Sequence, residues 1–114
     1  WSRNFGGYQG VAGDADYVYA ADGSDRLSAW RRSNGDLAWT SELLRNRGLT
    51  APLLLPAALV FGDEQGWLHL LSRERGELLL RLPTDGSAVT ALVRSGTTLL
   101  ALTRKGGVFA FRPE

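Results

Sequence analysis

The sequence predicts an all-β fold, a β-propeller fragment with about three four-stranded blades' worth of strands. The first observation is an internal repeat. Residues 27–37 align with residues 68–78, and Gly35 falls on Gly76 at an offset of 41 residues, which is about the length of one propeller blade. A partial third copy begins at 95–99, and its Val108 lies 40 residues after Leu68. The second observation is that glycine-containing turns recur between short apolar runs, a pattern typical of all-β proteins.

The strands follow from runs of β-branched, aromatic and alternating apolar residues between those turns. Twelve are predicted, at 1–5, 8–13, 16–21, 26–31, 36–41, 51–55, 58–62, 67–72, 77–82, 88–93, 98–103 and 107–112. Several are apolar at both parities, as in 53–55 and 67–71, which predicts sheets that are covered on both faces. A two-sheet sandwich is the alternative all-β fold, but it gives no reason for a repeat of about 41 residues.

The strand order suggests how the chain is divided. Residues 1–5 are predicted to be the last strand of a preceding blade, 8–41 and 51–82 two complete blades, and 88–112 three strands of a terminal blade. That terminal blade would have an open edge, which proteins normally pair or cover. Since the chain begins at Trp1 and contains no methionine, we expect it to be a processed or excised piece of a longer protein.

Composition excludes several classes of function. Thirteen basic and 12 acidic residues leave a formal net charge of +1, without the strongly basic field of a nucleic-acid-binding protein. No cysteine is present, so disulfides, thiolate chemistry and cysteine-ligated zinc are excluded. No run of about 18 apolar residues predicts a membrane-spanning helix, and no signal peptide is recognisable.

No catalytic, cofactor-binding or metal-binding residue is predicted. His69 is the single histidine; it lies in mid-strand between leucines, and we expect it to be a structural residue that is hydrogen-bonded at a blade interface. The acidic pairs Asp14/Asp16 and Asp22/Asp25 lack the spacing of a calcium loop and are expected to cap turns.

The candidate binding segment is 43–49, which joins two predicted blades and is longer than a hairpin turn. It combines leucines that are expected to be exposed with arginines, and Leu44, Arg45 and Arg47 are the predicted partner-binding residues. The alternative is an ordinary connection between blades in which the leucines cap the core.

The repeat RLSAWRRSNGDLAW resembles the blade motif of quinoprotein-like propellers, with Trp39 at the position of the tryptophan that docks between blades. More specifically, the run from Gly62 to Leu71 and the ending from Lys105 to Arg112 resemble the BamB family of outer-membrane assembly lipoproteins. The second repeat departs from the motif because Leu80 replaces the tryptophan. The residues assigned to the structural repeat are Trp30, Trp39, Gly35, Gly66 and Gly76.

The resemblance implies the C-terminal third of an eight-bladed propeller. It implies a non-enzymatic scaffold without a cofactor, which binds the POTRA domains of the insertase BamA in the periplasm. An association with the outer membrane would come through a lipid anchor upstream of this chain.

Two other functions fit a propeller: a quinone-cofactor-dependent dehydrogenase, which uses the same blade motif, and a generic interaction domain with another partner. The open ends of the chain also predict head-to-tail self-association of this piece.

Overall fold

The computed structural model describes residues 1–2 and 8–112, and that part of the chain contains no helix. Its strands are β1 (Tyr8–Gly13), β2 (Tyr17–Asp22), β3 (Leu27–Arg31), β4 (Leu37–Ser41), β5 (Leu53–Leu55), β6 (Ala58–Gly62), β7 (Trp67–Leu71), β8 (Leu78–Pro83), β9 (Val89–Ser95), β10 (Thr98–Thr103) and β11 (Val108–Phe111). Each begins and ends within two residues of the strand predicted for it. Trp1 and Ser2 are not in a strand, and the rest of the predicted strand 1–5 lies outside the described residues.

The strands form three antiparallel sheets in which every strand pairs with its neighbours in sequence. Sheet 1 has the order β1-β2-β3-β4, sheet 2 the order β5-β6-β7-β8, and sheet 3 contains β9, β10 and β11. The first strands of successive sheets lie next to one another, β1 beside β5 and β5 beside β9. Sheets stacked in this way are propeller blades, so the predicted fold class is confirmed.

The core consists of two layers, one on each face of sheet 2. Leu59, Phe61 and Leu71 face sheet 1, where they meet residues such as Tyr19 and Leu27. Side chains of opposite parity face sheet 3, and they include Val60, Leu68 and Leu70, packed near Val89, Leu99 and Ala101. Because successive side chains of a strand point to opposite faces, a sheet buried on both faces needs apolar residues at both parities. This explains why β6 is apolar up to Gly62 and why only His69 interrupts the apolar run of β7.

The connections lie on two opposite faces. The loops 42–52 and 84–88 and the turns β2–β3, β6–β7 and β10–β11 form one face, which we call the loop face. Backbone hydrogen bonds join its parts, from the N–H of Glu64 to the carbonyl of Arg47 (3.0 Å) and from the N–H of Arg104 to the carbonyl of Ala88 (2.9 Å). The remaining hairpin turns form the other face, which we call the turn face.

Candidate interaction surface

The loop 42–52 is held by hydrogen bonds to both neighbouring sheets. The N–H of Asn46 donates to the carbonyl of Ser24 in the β2–β3 turn (3.0 Å). The carboxylate of Asp25, buried in the same turn, accepts the N–H groups of Gly48 (2.9 Å) and Leu49 (3.4 Å). Buried backbone groups that are paired in this way fix the course of a loop. The loop therefore presents its outward side chains from a defined backbone.

The structure corrects the expectation that Leu44 is exposed. Its side chain is fully buried and packs in the core between sheets 1 and 2, near Leu27 and Leu59. Burial of a leucine side chain is worth roughly 2 kcal/mol, so Leu44 caps the core, and a partner cannot reach it on this surface. Its neighbour Leu43 is the exposed leucine of the loop, with 47% of its surface accessible.

Arg45 points to solvent and forms an ion pair with Glu42 across one turn of the loop, Nη1 to Oε1 at 3.2 Å. About half of each side chain is accessible. An exposed pair of this kind stabilises a fold by at most about 1 kcal/mol, so Arg45 can exchange Glu42 for a partner's acceptor at small cost.

Arg47 turns towards a buried carboxylate. Its Nη1 lies 3.6 Å from Oδ2 of Asp63, at the start of the β6–β7 turn, and about a third of the Arg47 side chain is accessible. Oδ1 of Asp63 accepts the N–H groups of Gln65 (2.8 Å) and Trp67 (3.0 Å). Oδ2 also lies 2.8 Å from Nε2 of His69. Asp63 thus joins the loop, the turn and β7.

His69 is fully buried, and both ring nitrogens have a partner. Nδ1 accepts the Nε–H of Arg81 on β8 (3.1 Å), which leaves Nε2 as the protonated nitrogen that donates to Asp63. Burial lowers the pKa of His69, and the positive charges of Arg47 and Arg81 act in the same direction, whereas Asp63 acts against them. His69 is therefore a neutral structural histidine, and its hydrogen bonds lie within its own sheet and not across sheets.

A polar pocket of about 310 Å³ opens between the loop and the β6–β7 turn. It is lined by Arg45, Asn46, Arg47, Asp63, Glu64 and Gln65. A smaller pocket of about 120 Å³ continues past Arg45 towards Asp22 and Arg26 in the β2–β3 turn. The predicted arginines therefore lie together on one surface, and Leu44 lies beneath it.

One member of each acidic pair near the start of the chain, Asp14 and Asp22, caps its own turn, whereas Asp25 binds the loop 42–52. Oδ1 of Asp22 accepts the N–H groups of Ser24 (2.8 Å) and Arg26 (3.0 Å), with the same spacing as the bonds to Asp63 one repeat later. Oδ1 of Asp14 accepts those of Asp16 (2.8 Å) and Tyr17 (2.7 Å). Within residues 1–2 and 8–112, no group of three or more histidine or acidic side chains is placed to hold a metal ion.

Three of the repeat residues, Gly35, Trp39 and Gly76, lie at contacts on the turn face. The indole Nε1 of Trp39 donates to the carbonyl of Arg73 in the β7–β8 turn (3.0 Å). Gly76 in that turn has a φ of 70°, and a Cβ there would lie 2.5 Å from the Trp39 ring. Trp39 thus packs directly on the backbone of the next sheet.

Trp1 makes the equivalent contacts one repeat earlier. Its Nε1 donates to the carbonyl of Arg32 (2.6 Å), and its ring covers Gly35. Trp30 is buried on β3, and Gly66 lies in the β6–β7 turn, where a Cβ would meet the carbonyl oxygen of Ser87 at 2.7 Å. Leu80, which replaces the tryptophan in the second repeat, is about half exposed.

A polar cluster on the turn face joins sheets 1 and 2, and the sequence analysis did not identify it. Oδ2 of Asp14 accepts the hydroxyl of Tyr19 (2.9 Å) and both Nε–H and Nη2–H of Arg73. Arg73 also donates Nη1–H to the carbonyls of Leu55 (2.9 Å) and Pro56 (3.1 Å). Burial opposes ionisation of Asp14, but the hydrogen bonds from Arg73 and the backbone outweigh it and lower its pKa to about 2.

The contacts of Asp63 on the loop face and those of Asp14 on the turn face differ in how far the sequence predicts them. Asp63 could have been found, because the repeat places it on Asp22 at the end of an equivalent strand. The pair of Asp14 and Arg73 carries no such signal, since the two residues are 59 positions apart and no motif joins them.

No helix in the described part of the chain has the length and apolar character that crossing a bilayer requires.

No family model matches the chain. Three of its curated relatives share one description. An outer membrane protein assembly factor BamB from Burkholderia pseudomallei is 40% identical over the whole chain. Those from Bordetella pertussis and Escherichia coli are 35% and 32% identical over 91% and 96% of it. The chain spans 28–30% of the length of these three relatives.

Solved structures agree with the sequence comparison. The crystal structure of BamB from Moraxella catarrhalis superposes with a TM-score of 0.82 at 28% identity, over 90% of this chain and 30% of that one. The computationally designed protein Ika4 shares the fold with a TM-score of 0.76 at 19% identity, over 90% of this chain and 63% of its own. Sequence and structure together show that the chain belongs to the BamB family, of whose curated members it spans about three tenths.

Proposed function

We propose that this chain is a segment of a non-enzymatic scaffold in outer-membrane protein assembly, and that it binds a partner protein through its loop face. The observation that supports this most directly is the loop 42–52, whose backbone is fixed to both neighbouring sheets while Leu43 and Arg45 point outward. An exposed leucine beside an arginine is typical of protein interfaces, where the apolar side chain is buried and the guanidinium pairs with acceptors.

The proposed partner is the insertase BamA, contacted through its POTRA domains. The relatives of this chain are named outer membrane protein assembly factors, and this supports a role in the same assembly machinery. We further propose a periplasmic location at the outer membrane, with the lipid anchor supplied by a part of the protein upstream of this chain. No cofactor is required, because the proposed activity depends only on surface complementarity.

The test is the affinity of this chain for the POTRA domains, measured by calorimetry or interferometry. R45E reverses a charge at the pocket entrance, and L43A removes the exposed apolar side chain. We expect each change to weaken binding by about tenfold, which corresponds to roughly 1.4 kcal/mol. The matched controls are R75E and L37A, which change an exposed arginine on the turn face and an exposed leucine on β4.

The four variants distinguish the possible results. Equal weakening by R75E and R45E would show that the effect is one of net charge and not of this surface. Unchanged affinity in both R45E and L43A would contradict the proposed interface but leave the scaffold function intact. No binding by the unmodified chain would contradict BamA as the partner of this segment.

We also propose that the isolated chain associates with itself. β11 is an edge strand of sheet 3 in the described structure, and Val108 on it is 66% exposed. Beside it lies an apolar groove of about 220 Å³, lined by residues that include Leu80, Leu99 and Phe111. Unpaired edges beside apolar surface favour pairing with another chain. Light scattering should show a mass above that of one chain, and a monomer at high concentration would contradict this proposal.

A further inference from the structure

The link between Arg47, Asp63 and His69 is peculiar to sheet 2, as the repeat shows. The preceding sheet forms the same turn at Asp22, with the same two backbone hydrogen bonds, although the residue aligned with His69 is Ser28. In sheet 3 the aligned residue is Phe109. The turn therefore folds without a histidine. His69 and its contacts are therefore not required for the formation of a blade, and they can have another role in sheet 2.

The charges that face the imidazole come from three elements. Asp63 approaches from the β6–β7 turn, Arg81 from β8 and Arg47 from the loop 42–52. Phe61, the cross-strand neighbour of His69 on β6, is apolar. The neutral ring satisfies this arrangement, since one nitrogen donates to a carboxylate and the other accepts from a guanidinium.

Protonation changes each of these contacts. A proton on Nδ1 would face the Nε–H of Arg81, so a hydrogen bond would be replaced by two opposed donors. The new positive charge would also lie 2.8 Å from Oδ2 of Asp63, the same oxygen that attracts Arg47 from 3.6 Å. Because the imidazolium is closer, it would neutralise most of the charge that holds Arg47.

We propose that Asp63 and His69 form a pH-sensitive hold on Arg47, which releases the Arg47 guanidinium into the pocket when His69 takes up a proton. Arg47 is already about one-third accessible, so the release requires a change of side-chain conformation only. As regulation of partner binding, the hold rests on the proposed function of the loop face. In that setting, acidification would place a positive charge beneath the proposed interface and a free guanidinium on it. The affinity for acidic groups of a partner would then rise.

The hold itself can be tested on the chain alone by NMR. The ring ¹⁵N shifts of His69 report its protonation, and the Nε–Hε signals of Arg47 and Arg45 report their surroundings between pH 8 and pH 4.5. We expect the signal of Arg47 to move with the same midpoint as the ring of His69, below pH 6.5, while that of Arg45 stays in place. In H69Q, whose amide can donate to Asp63 but cannot gain a proton, the transition of Arg47 should be lost.

A second variant keeps the proposal testable if H69Q does not fold. R81L removes a positive charge beside the ring, so the midpoints of His69 and Arg47 should move together to higher pH. An Arg47 signal that stays in place while His69 titrates would overturn the proposal. So would an unchanged Arg47 transition in H69Q, or unfolding of the chain before His69 is protonated. Absence of POTRA binding would not affect these measurements, so failure of the proposed function and failure of the hold are distinguishable.

Discussion

Asp14 and Asp63 each follow directly after a strand, at opposite faces of the molecule, and they hold their arginines differently. Each accepts two backbone N–H groups through Oδ1 and contacts an arginine through Oδ2. Arg73 binds Asp14 across the two sheets through two of its nitrogens, and through a third it donates to the carbonyls of Leu55 and Pro56 in its own sheet. Arg47 stays 3.6 Å from Asp63, where a histidine occupies the closer position. On the turn face, Asp14 thus holds two sheets together through Arg73. On the loop face, Asp63 contacts both an arginine and a histidine that can be protonated.

Removal of Arg73 should give the largest effect relative to its control variant. R73A removes the ion pair of the Asp14 carboxylate, which has little exposure, and it removes the donor to Leu55 and Pro56. Breaking a fully buried ion pair from one side costs at least about 3 kcal/mol. Because this pair is partly exposed, the free energy of unfolding in urea should fall by up to about that amount. R75A, an exposed arginine in the same turn, is the control and should change it by less than about 0.5 kcal/mol. Similar losses of stability in R73A and R75A would show that the contacts of Arg73 with Asp14, Leu55 and Pro56 do not stabilise the fold.

Substitution of Gly76 should give the next effect and tests the packing beside Arg73. Alanine at Gly76 suffers from the positive φ of 70° and from contact with the ring of Trp39. Alanine at Gly86 has only the cost of the positive φ, which is 83° there, because no atom lies within 4 Å of the added Cβ. The left-handed conformation costs roughly 1–2 kcal/mol in either case. We expect G76A to lose about 2 kcal/mol more than G86A in thermal or urea unfolding. Equal losses would mean that Trp39 moves aside freely.

The smallest effect should be on the pH dependence of stability, where the contributions of His69 and Asp14 are lost in different pH ranges. The lowered pKa of His69 means that the unfolded chain binds its proton first, so stability falls as the pH drops below 6.5. Asp14 has a pKa of about 2 when folded against 3.8 ordinarily, so its contribution is present above pH 3.8 and is lost between pH 3.8 and 2. In H69Q the loss between pH 6.5 and 5 should be reduced, and the loss at lower pH should remain. Urea unfolding at fixed pH values measures both losses of stability. An unchanged loss between pH 6.5 and 5 in H69Q would mean that a group other than His69 causes it.

The sequence predicts the strands well because the repeat and the turn residues carry that information locally. The apolar runs of β6 and β7 also indicate that sheet 2 is covered on both faces, as it is. The site was predictable only in part. Leu43 and Leu44 are adjacent leucines in one loop, and only the three-dimensional course of the backbone decides that Leu44 enters the core and Leu43 does not. The partners of Arg73 and Arg47 depend on how sheets stack, which a local pattern does not describe.

The docking of Trp1 on Gly35 and of Trp39 on Gly76 has a consequence for how the molecule opens. Trp39 couples sheet 1 to sheet 2, and Trp1 attaches the start of the chain to sheet 1. With contacts of this kind, the free energy divides into contributions of single sheets and of neighbouring pairs. Sheet 2 is coupled on both sides and sheet 3 on one side, without a tryptophan at its boundary. Local unfolding should therefore begin at β11 and proceed inward, and the amide protons of β6 and β7 should be the last to exchange with solvent.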